Sequence, residues 1–382
     1  MVLQQQPLSL YIHIPWCVQK CPYCDFNSHA LKHEIPEQDY VQALIKDLDD
    51  DITRFKLTNR HLHSVFIGGG TPSLFSPSAI QSLLSQVFQR FEVNDDIEVT
   101  LEANPGTVEA DKFTGFAQAG VSRLSIGVQS FESDKLIKLG RIHDSNQAIN
   151  AAQLAKSCGV KSFNLDLMHG LPNQMLTNAL DDLSQAIALA PDHLSWYQLT
   201  IEPNTAFHSK PPKLPQDEIL WDIQEQGIKL LADAGYQQYE ISAYSKPNVQ
   251  SKHNLNYWRF GDYLGIGCGA HGKITDFNSN KIYRTVKVKH PKGYLQKDRP
   301  ALDQLKTVLA EELPFEFMMN QLRLRESFDL AHFEQSTGLS KNVILANIKL
   351  AEQKKLLIGN DNHWQVTQHG HRYLNDLLEL FL

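Results

Sequence analysis

Cys17, Cys21 and Cys24 stand in the run Cys-Val-Gln-Lys-Cys-Pro-Tyr-Cys, a C-x3-C-x2-C spacing near the amino terminus. Thiolates are soft ligands that select iron–sulfur clusters, zinc or copper(I). Three of them leave one iron of a four-iron cluster without a protein ligand, free to bind a small molecule. Zinc is the competing reading, with His13 or His29 as a fourth ligand, although no second half-site of the C-x2-C type accompanies the first. A disulfide is disfavoured because cysteine is sparse and odd in number, five in 382 residues, and no signal peptide precedes the run.

Other polar groups sit where a site would need them. Gly68-Gly69-Gly70-Thr71-Pro72 offers a backbone that a ligand can approach closely and successive N–H groups that can meet an anion. Further on come Glu102-Ala-Asn104-Pro-Gly, Gly127-Val-Gln129-Ser130, Gly140-Arg141-Ile-His143 and Asn164-Leu-Asp166. Taken singly, each reads as a turn, a cap or a surface charge. Their placement changes that reading, because most of them directly follow an apolar run.

Those runs are the elements that must position the site. Candidate strands cover Leu8–Ile14, His63–Ile67, Ile97–Glu102, Arg123–Val128, Lys161–Leu167 and Leu194–Ile201. Amphipathic helical patterns separate them at Tyr40–Ile52, Pro77–Phe91, Thr107–Ala119, Asn146–Ser157 and Leu176–Ala190. Such alternation predicts an α/β fold with a parallel sheet. Six units are too few to close an eight-stranded barrel, so an open, partial (β/α)6 barrel is expected, with functional groups at the carboxyl ends of its strands.

After about Pro291 the pattern changes to helices at Leu305–Asn320, Asp329–Gln335 and Lys341–Lys355, a hairpin at Leu356–Thr367 and a last helix at His371–Leu380. This order predicts a smaller α+β, winged-helix-like domain. Its second helix mixes Lys341, Lys349, Lys354 and Lys355 with Glu352, so a lid or docking role is expected rather than DNA binding. The expected division is a barrel over 1–245, a connecting region over 246–290 and the C-terminal domain over 291–382.

Bulk composition narrows the classes. Hydrophobic content of 42% and charged content of 21% suit a soluble globular protein. A net charge of -7 argues against broad nucleic-acid binding. No run approaches the ~20 apolar residues of a membrane helix. Unpaired thiols point to a reducing compartment, hence the cytoplasm.

The cysteine loop resembles that of radical S-adenosylmethionine (SAM) enzymes. The resemblance implies a [4Fe–4S] cluster on Cys17, Cys21 and Cys24, with the amino acid end of SAM on the open iron, and an electron donor to reduce the cluster. It also implies that Gly69, Gly70 and Thr71 hold the methionine end of SAM. A zwitterionic nucleoside needs a cation for its carboxylate, a carboxylate for its ammonium and acceptors for its ribose hydroxyls. Arg141, Glu102, and Gln129 with Asp166 are the expected partners in that order. Tyr11 and Tyr23 flank the loop, placed to pack on adenine or shield the cluster.

Together with the run Tyr11-Ile-His-Ile-Pro-Trp-Cys17, Gly-Val-Gln-Ser-Phe and Asn-Leu-Asp-Leu-Met-His-Gly-Leu-Pro, these motifs resemble the oxygen-independent coproporphyrinogen III oxidase superfamily over essentially the whole chain. The oxidase branch carries a further cysteine two residues after the third ligand and a long amino-terminal segment. Here Phe26 stands at that position and 16 residues precede Cys17. Both differences favour the sister branch of HemW-type heme chaperones, with oxidative decarboxylation of coproporphyrinogen III propionates as the alternative. His253-Asn254-Leu-Asn256-Tyr257-Trp258 matches that branch's signature, which implies heme b as a further cofactor and His253 as its contact. The Gly265–Gly272 turn is expected to close the barrel with His271 near the adenosyl group, while Cys268 and Cys158 read as packed residues. The implied partners are heme and heme-accepting enzymes, some of them membrane-bound, at whose surface the chain would act peripherally. A homodimer is also allowed for. The apolar tail Leu377–Leu382 is expected to dock on the body.

Overall fold

A computed structural model describes residues 3–360 and 362–382, with the side chains of 107 and 108 excepted. Six parallel strands are laid down in chain order: β1 Leu8–Ile14, β2 Leu62–Gly69, β3 Glu98–Ala103, β4 Arg123–Gln129, β5 Ser162–His169 and β6 His193–Gln198. Alternation along each strand separates two chemistries. Leu8, Leu10, Ile12 and Ile14 of β1, with Val99 and Leu101 of β3 and Leu165 and Leu167 of β5, are fully buried in the main core. Ser9, Tyr11, Ser64, Glu102, Ser125, Asn164 and Asp166 take the opposite parity and bond one another or line a cavity. The helices cover the apolar face, and the polar face is the inside of the partial barrel.

Local signals start the helices. α1 spans Glu37–Phe55, and α2, Pro77–Phe88, begins with the Ser76 hydroxyl accepting from the Ala79 N–H at 3.2 Å and Pro77 in its first turn. α3, Ser145–Ser157, has a capping box between Asp144 and Gln147. α4 covers Leu176–Ala188 and α5 Asp217–Asp233. The single helix expected over Thr107–Ala119 is instead two short ones, Thr107–Ala110 and Phe113–Gln118.

The sheet does not stop at β6. After β7, Gln237–Gln238, and β8, Ala243–Ser245, comes α6, Lys252–Trp258. Then β9, Asp262–Gly267, runs parallel to β1 on its free side. β10 His271–Asp276, β11 Lys281–Lys287 and β12 Leu302–Thr307 follow antiparallel, giving a 12-stranded sheet in the order β12-β11-β10-β9-β1-β2-β3-β4-β5-β6-β8-β7. Residues 246–290 therefore contribute strands to the barrel's own sheet. The helix expected from Leu305 is corrected here: Leu302–Thr307 is an edge strand on β11, and α7 begins at Leu313 with Pro314 in its first turn. Pairing with the open edge of β11 satisfies backbone groups that the amphipathic pattern alone would have assigned to a helix.

The C-terminal part has its own core of Phe317, Phe333, Ile348 and Trp364, which also takes in Phe260 and Ile282 from the barrel side. α8 Leu330–Thr337 and α9 Asn342–Gln353 pack with a three-stranded sheet of β13 Phe328–Asp329, β15 His363–Val366 and β14 Leu357–Asn360. Asp361, part of the turn expected from sequence, lies outside the described residues. The expected last helix breaks at Tyr373 into Gln368–Arg372 and Leu374–Glu379. Leu377 and Phe381 of the tail are buried in this core.

Candidate cluster and cofactor site

The cysteine loop leaves the carboxyl end of β1. Trp16–Cys17 pairs with His29–Ala30, which ties the base of the loop, and the Leu31 N–H donates to Cys17 O at 2.9 Å. The Cys24 N–H donates to Cys21 O at 3.1 Å, turning the second half of the motif back on itself. All three thiols line one cavity of about 290 Å³ at the strand ends. Burial first and the neighbouring Cys24 second push the Cys17 thiol up. Cys24 Sγ lies 3.4 Å from Ser28 Oγ, and Arg141 Nη1 donates toward Cys21 Sγ at 3.6 Å.

The glycine turn packs under this loop. A Cβ on Gly69 would lie 2.6 Å from the His13 ring, and one on Gly70 would strike the Trp16 carbonyl. Gly70 N–H donates to Ile14 O and Thr71 N–H to Trp16 O, both at 2.7 Å, so the turn extends the pairing with the strand that leads into Cys17. The Gly69 N–H is already taken by Glu102 Oε2 at 3.0 Å. Thr71 is buried, and its hydroxyl accepts from Asn104 Nδ2 at 3.2 Å.

The expected nucleoside partners line the same cavity. Arg141 Nη2 donates to Asn104 Oδ1 at 2.7 Å and to Gly127 O at 2.8 Å, while its Nε is buried with no partner. Desolvation first and the Asp166 charge second push the Glu102 carboxyl up to about 7. Asp166 is also raised by burial, although Ser125 Oγ and Asn164 Nδ2 donate to it at 3.1 and 2.8 Å. Gln129 sits at a register shift with φ of 68°, and its side-chain carbonyl accepts from the Tyr197 hydroxyl at 2.8 Å. Tyr23 lines this cavity beside Cys21, with Phe207 packed on its far side.

A second, larger cavity of about 880 Å³ shares Lys20, Cys24, Phe26, Ser28, Gly69 and Glu102 with the first. Tyr11, His271 and His253 belong to this one rather than to the cluster cavity. The Tyr11 hydroxyl donates to His13 Nδ1 at 2.9 Å and its ring lies on Phe66. His253, on α6, is buried, with Nδ1 3.1 Å from Ser64 Oγ and the ring against Phe66. Its backbone N–H donates to Glu98 at 2.9 Å. Desolvation lowers this imidazole to about 3, so it stays neutral at working pH.

The zinc reading loses His13 as its fourth ligand. Nε2–H of His13 donates to Asn27 O at 2.9 Å and Nδ1 accepts from Tyr11, which uses both nitrogens. His29 Nε2 is bonded to Lys289 O. Among the described residues no three His, Cys, Asp or Glu side chains gather tightly enough for a single metal ion. Cys268 is buried, donates to Lys289 O at 3.0 Å and lines neither cavity. Ser28 and Tyr197 complete the first cavity without having been singled out from sequence, and Asn104, noted there in the run after Glu102 without an assigned partner, joins them; Tyr197 shares the inward parity of its strand, which was the available signal.

The radical SAM superfamily pattern matches residues 11–183, and the HemN C-terminal domain pattern matches 308–373. The heme chaperone HemW of Haemophilus influenzae is 60% identical over 378 residues, covering 98% of each chain. This chain belongs to the HemW-type heme chaperone family. The Escherichia coli member is 58% identical over 98% of both chains, and that of Bacillus subtilis 33% over 98% of this chain. Among solved structures, the radical SAM enzyme coproporphyrinogen III oxidase of E. coli matches with a TM-score of 0.83 at 25% identity, over 99% of this chain and 90% of that one. In this HemW-type chain, no residue beyond Lys289 lines either cavity among the described residues. The C-terminal domain therefore backs α6 rather than covering the site as a lid: Arg259 pairs with Glu326 at 2.6 Å and Arg323 lies over the Trp258 ring.

Proposed function

We propose that this protein holds a [4Fe–4S] cluster and SAM in the smaller cavity and heme b in the larger one, and passes heme to heme-dependent enzymes, respiratory ones included. The contiguity of the two cavities carries this reading. Cys24, Phe26 and Ser28 of the cysteine loop face both. Cys17, Cys21 and Cys24 are the cluster ligands in this account. The trio suits a cluster with one open iron, which when loaded can deliver an electron to a bound sulfonium.

Arg141 has an unpartnered Nε to offer the SAM carboxylate. Glu102 is a partly buried acid that a cationic ammonium would stabilise in its charged form. Gln129 and Asp166 offer oxygens to ribose hydroxyls, and the turn at Gly69, Gly70 and Thr71 presents backbone to the methionine end. Tyr23 closes the space around the nucleoside, while Tyr11 and His271 line the cavity given to heme. His253 would hold the iron: a neutral imidazole fixed through Nδ1 by Ser64 keeps its other nitrogen for a metal. The protein works in the cytoplasm, with an external electron donor and peripheral contact to membrane-bound acceptors; among the described residues no helix is long and apolar enough to cross a membrane.

Phe26 at the position of the oxidase's further cysteine stands against coproporphyrinogen decarboxylation. The test is an anaerobic hemin titration of reconstituted protein beside a coproporphyrinogen III assay. A Soret band without vinyl product is expected; vinyl product formed in step with 5′-deoxyadenosine would replace this reading with the oxidase.

A further inference from the structure

The larger cavity has two unlike sides. His253, Tyr257 and Tyr263 supply an aromatic wall from α6 and β9. At the mouth stand Lys20 from the cysteine loop and Lys289 just beyond β11, with His29 and His271 beside them. Lys20 Nζ donates to Phe26 O at 3.1 Å and Ser28 O at 3.4 Å, which leaves the third ammonium proton uncommitted. Neither lysine is within salt-bridge distance of a carboxylate among the described residues. Asp25 is the exposed acid on this cavity and Glu102 lies deeper, bonded to Gly69. Phe26, 60% exposed, lines both this cavity and the cluster cavity.

A cavity that is aromatic within and cationic at its mouth fits a flat apolar molecule with carboxylates on one edge. Carboxylates are costly to bury, so they belong at the wet rim, where ammonium groups can meet them. Resting on the heme reading above, we infer that Lys20 and Lys289 bind the two propionates of heme and thereby fix which edge of the porphyrin faces solvent. His271 flanks them as a hydrogen-bond donor, whereas the one N–H of neutral His29 is already given to Lys289 O. The site selects tetrapyrroles with free carboxylates on one edge over their esters.

The test compares hemin with hemin dimethyl ester, titrated by Soret absorbance into the full-length reconstituted protein and into Lys20→Gln, Lys289→Gln and the double variant. Each single change is expected to weaken hemin about fivefold, the value of a rim ion pair, and the double variant more. Binding of the diester should be the same in all four proteins and insensitive to salt, whereas hemin affinity should fall with salt only while the lysines are present. Lys289→Arg should restore hemin affinity. Iron and sulfide contents, measured in parallel, report any effect of Lys20→Gln on the cluster loop. Equal losses for hemin and diester, or unchanged hemin binding in the double variant, would overturn the propionate assignment alone. Absence of any Soret change in the unsubstituted protein would overturn the heme site itself.

Discussion

At the scale of single residues, Glu102 couples ligand and proton. Its carboxyl is raised to about 7 chiefly by desolvation, with the Asp166 charge adding to it. A raised acid contributes stability that is fully present below its unfolded value near 4.5 and is lost as pH rises through the folded one. The SAM-free protein should therefore lose stability between about pH 5 and pH 7. The ammonium of SAM needs the charged form, so SAM affinity should rise over the same range. Calorimetric titration from pH 5 to 7 checks this; Glu102→Gln should bind about tenfold more weakly, with no such rise. A steep pH dependence in the Gln variant would assign the proton elsewhere. His253→Ala should weaken the hemin Soret band while leaving the cluster's iron content unchanged, and an unaltered titration would remove His253 from the iron. The strand-end carboxylates were legible in the sequence because chemistry follows strands. Asn104 stood in the same strand-end run, but its bonds to Thr71 and Arg141 were not legible, since the three residues come from three different connections.

At the scale of elements, the glycine turn supports the cysteine loop as much as it presents backbone to a ligand. A methyl at residue 70 collides with the Trp16 carbonyl, one residue before Cys17. Gly70→Ala should cost about 2 kcal/mol and reduce iron incorporation, as measured by thermal denaturation and metal analysis. An unchanged melting temperature would contradict the packing described. Period-two and helical patterns located β1 to β6 within a few residues, because each strand buries one apolar row against helices. They failed at Leu302–Thr307, where burial is slight and edge pairing, which no local pattern encodes, decides the conformation. They also missed that β9 pairs with β1: residues 8 and 262 meet across more than half the chain.

At the scale of the whole molecule, α6 is held between the barrel interior and the C-terminal domain. His253 faces Ser64 and Phe66, while Trp258 faces Arg323. The domain's core centres on Phe317, whose ring lies 5.5 Å from Phe260 and 5.3 Å from Phe333. Phe317→Ala should cost about 3–5 kcal/mol and lower the first calorimetric transition. SAM binding should survive it, and its loss would place the domain in the SAM site. The winged-helix-like order was readable from sequence, but its position behind α6 was not, because docking depends on Phe260 and Ile282, which look like ordinary barrel residues. The central claim is that Cys17, Cys21 and Cys24 hold a cluster in a cavity that opens on the heme site. Iron and acid-labile sulfide analysis of anaerobically purified protein tests it most directly. About four of each per chain are expected, lost in Cys21→Ser; one zinc atom and no sulfide would contradict the account.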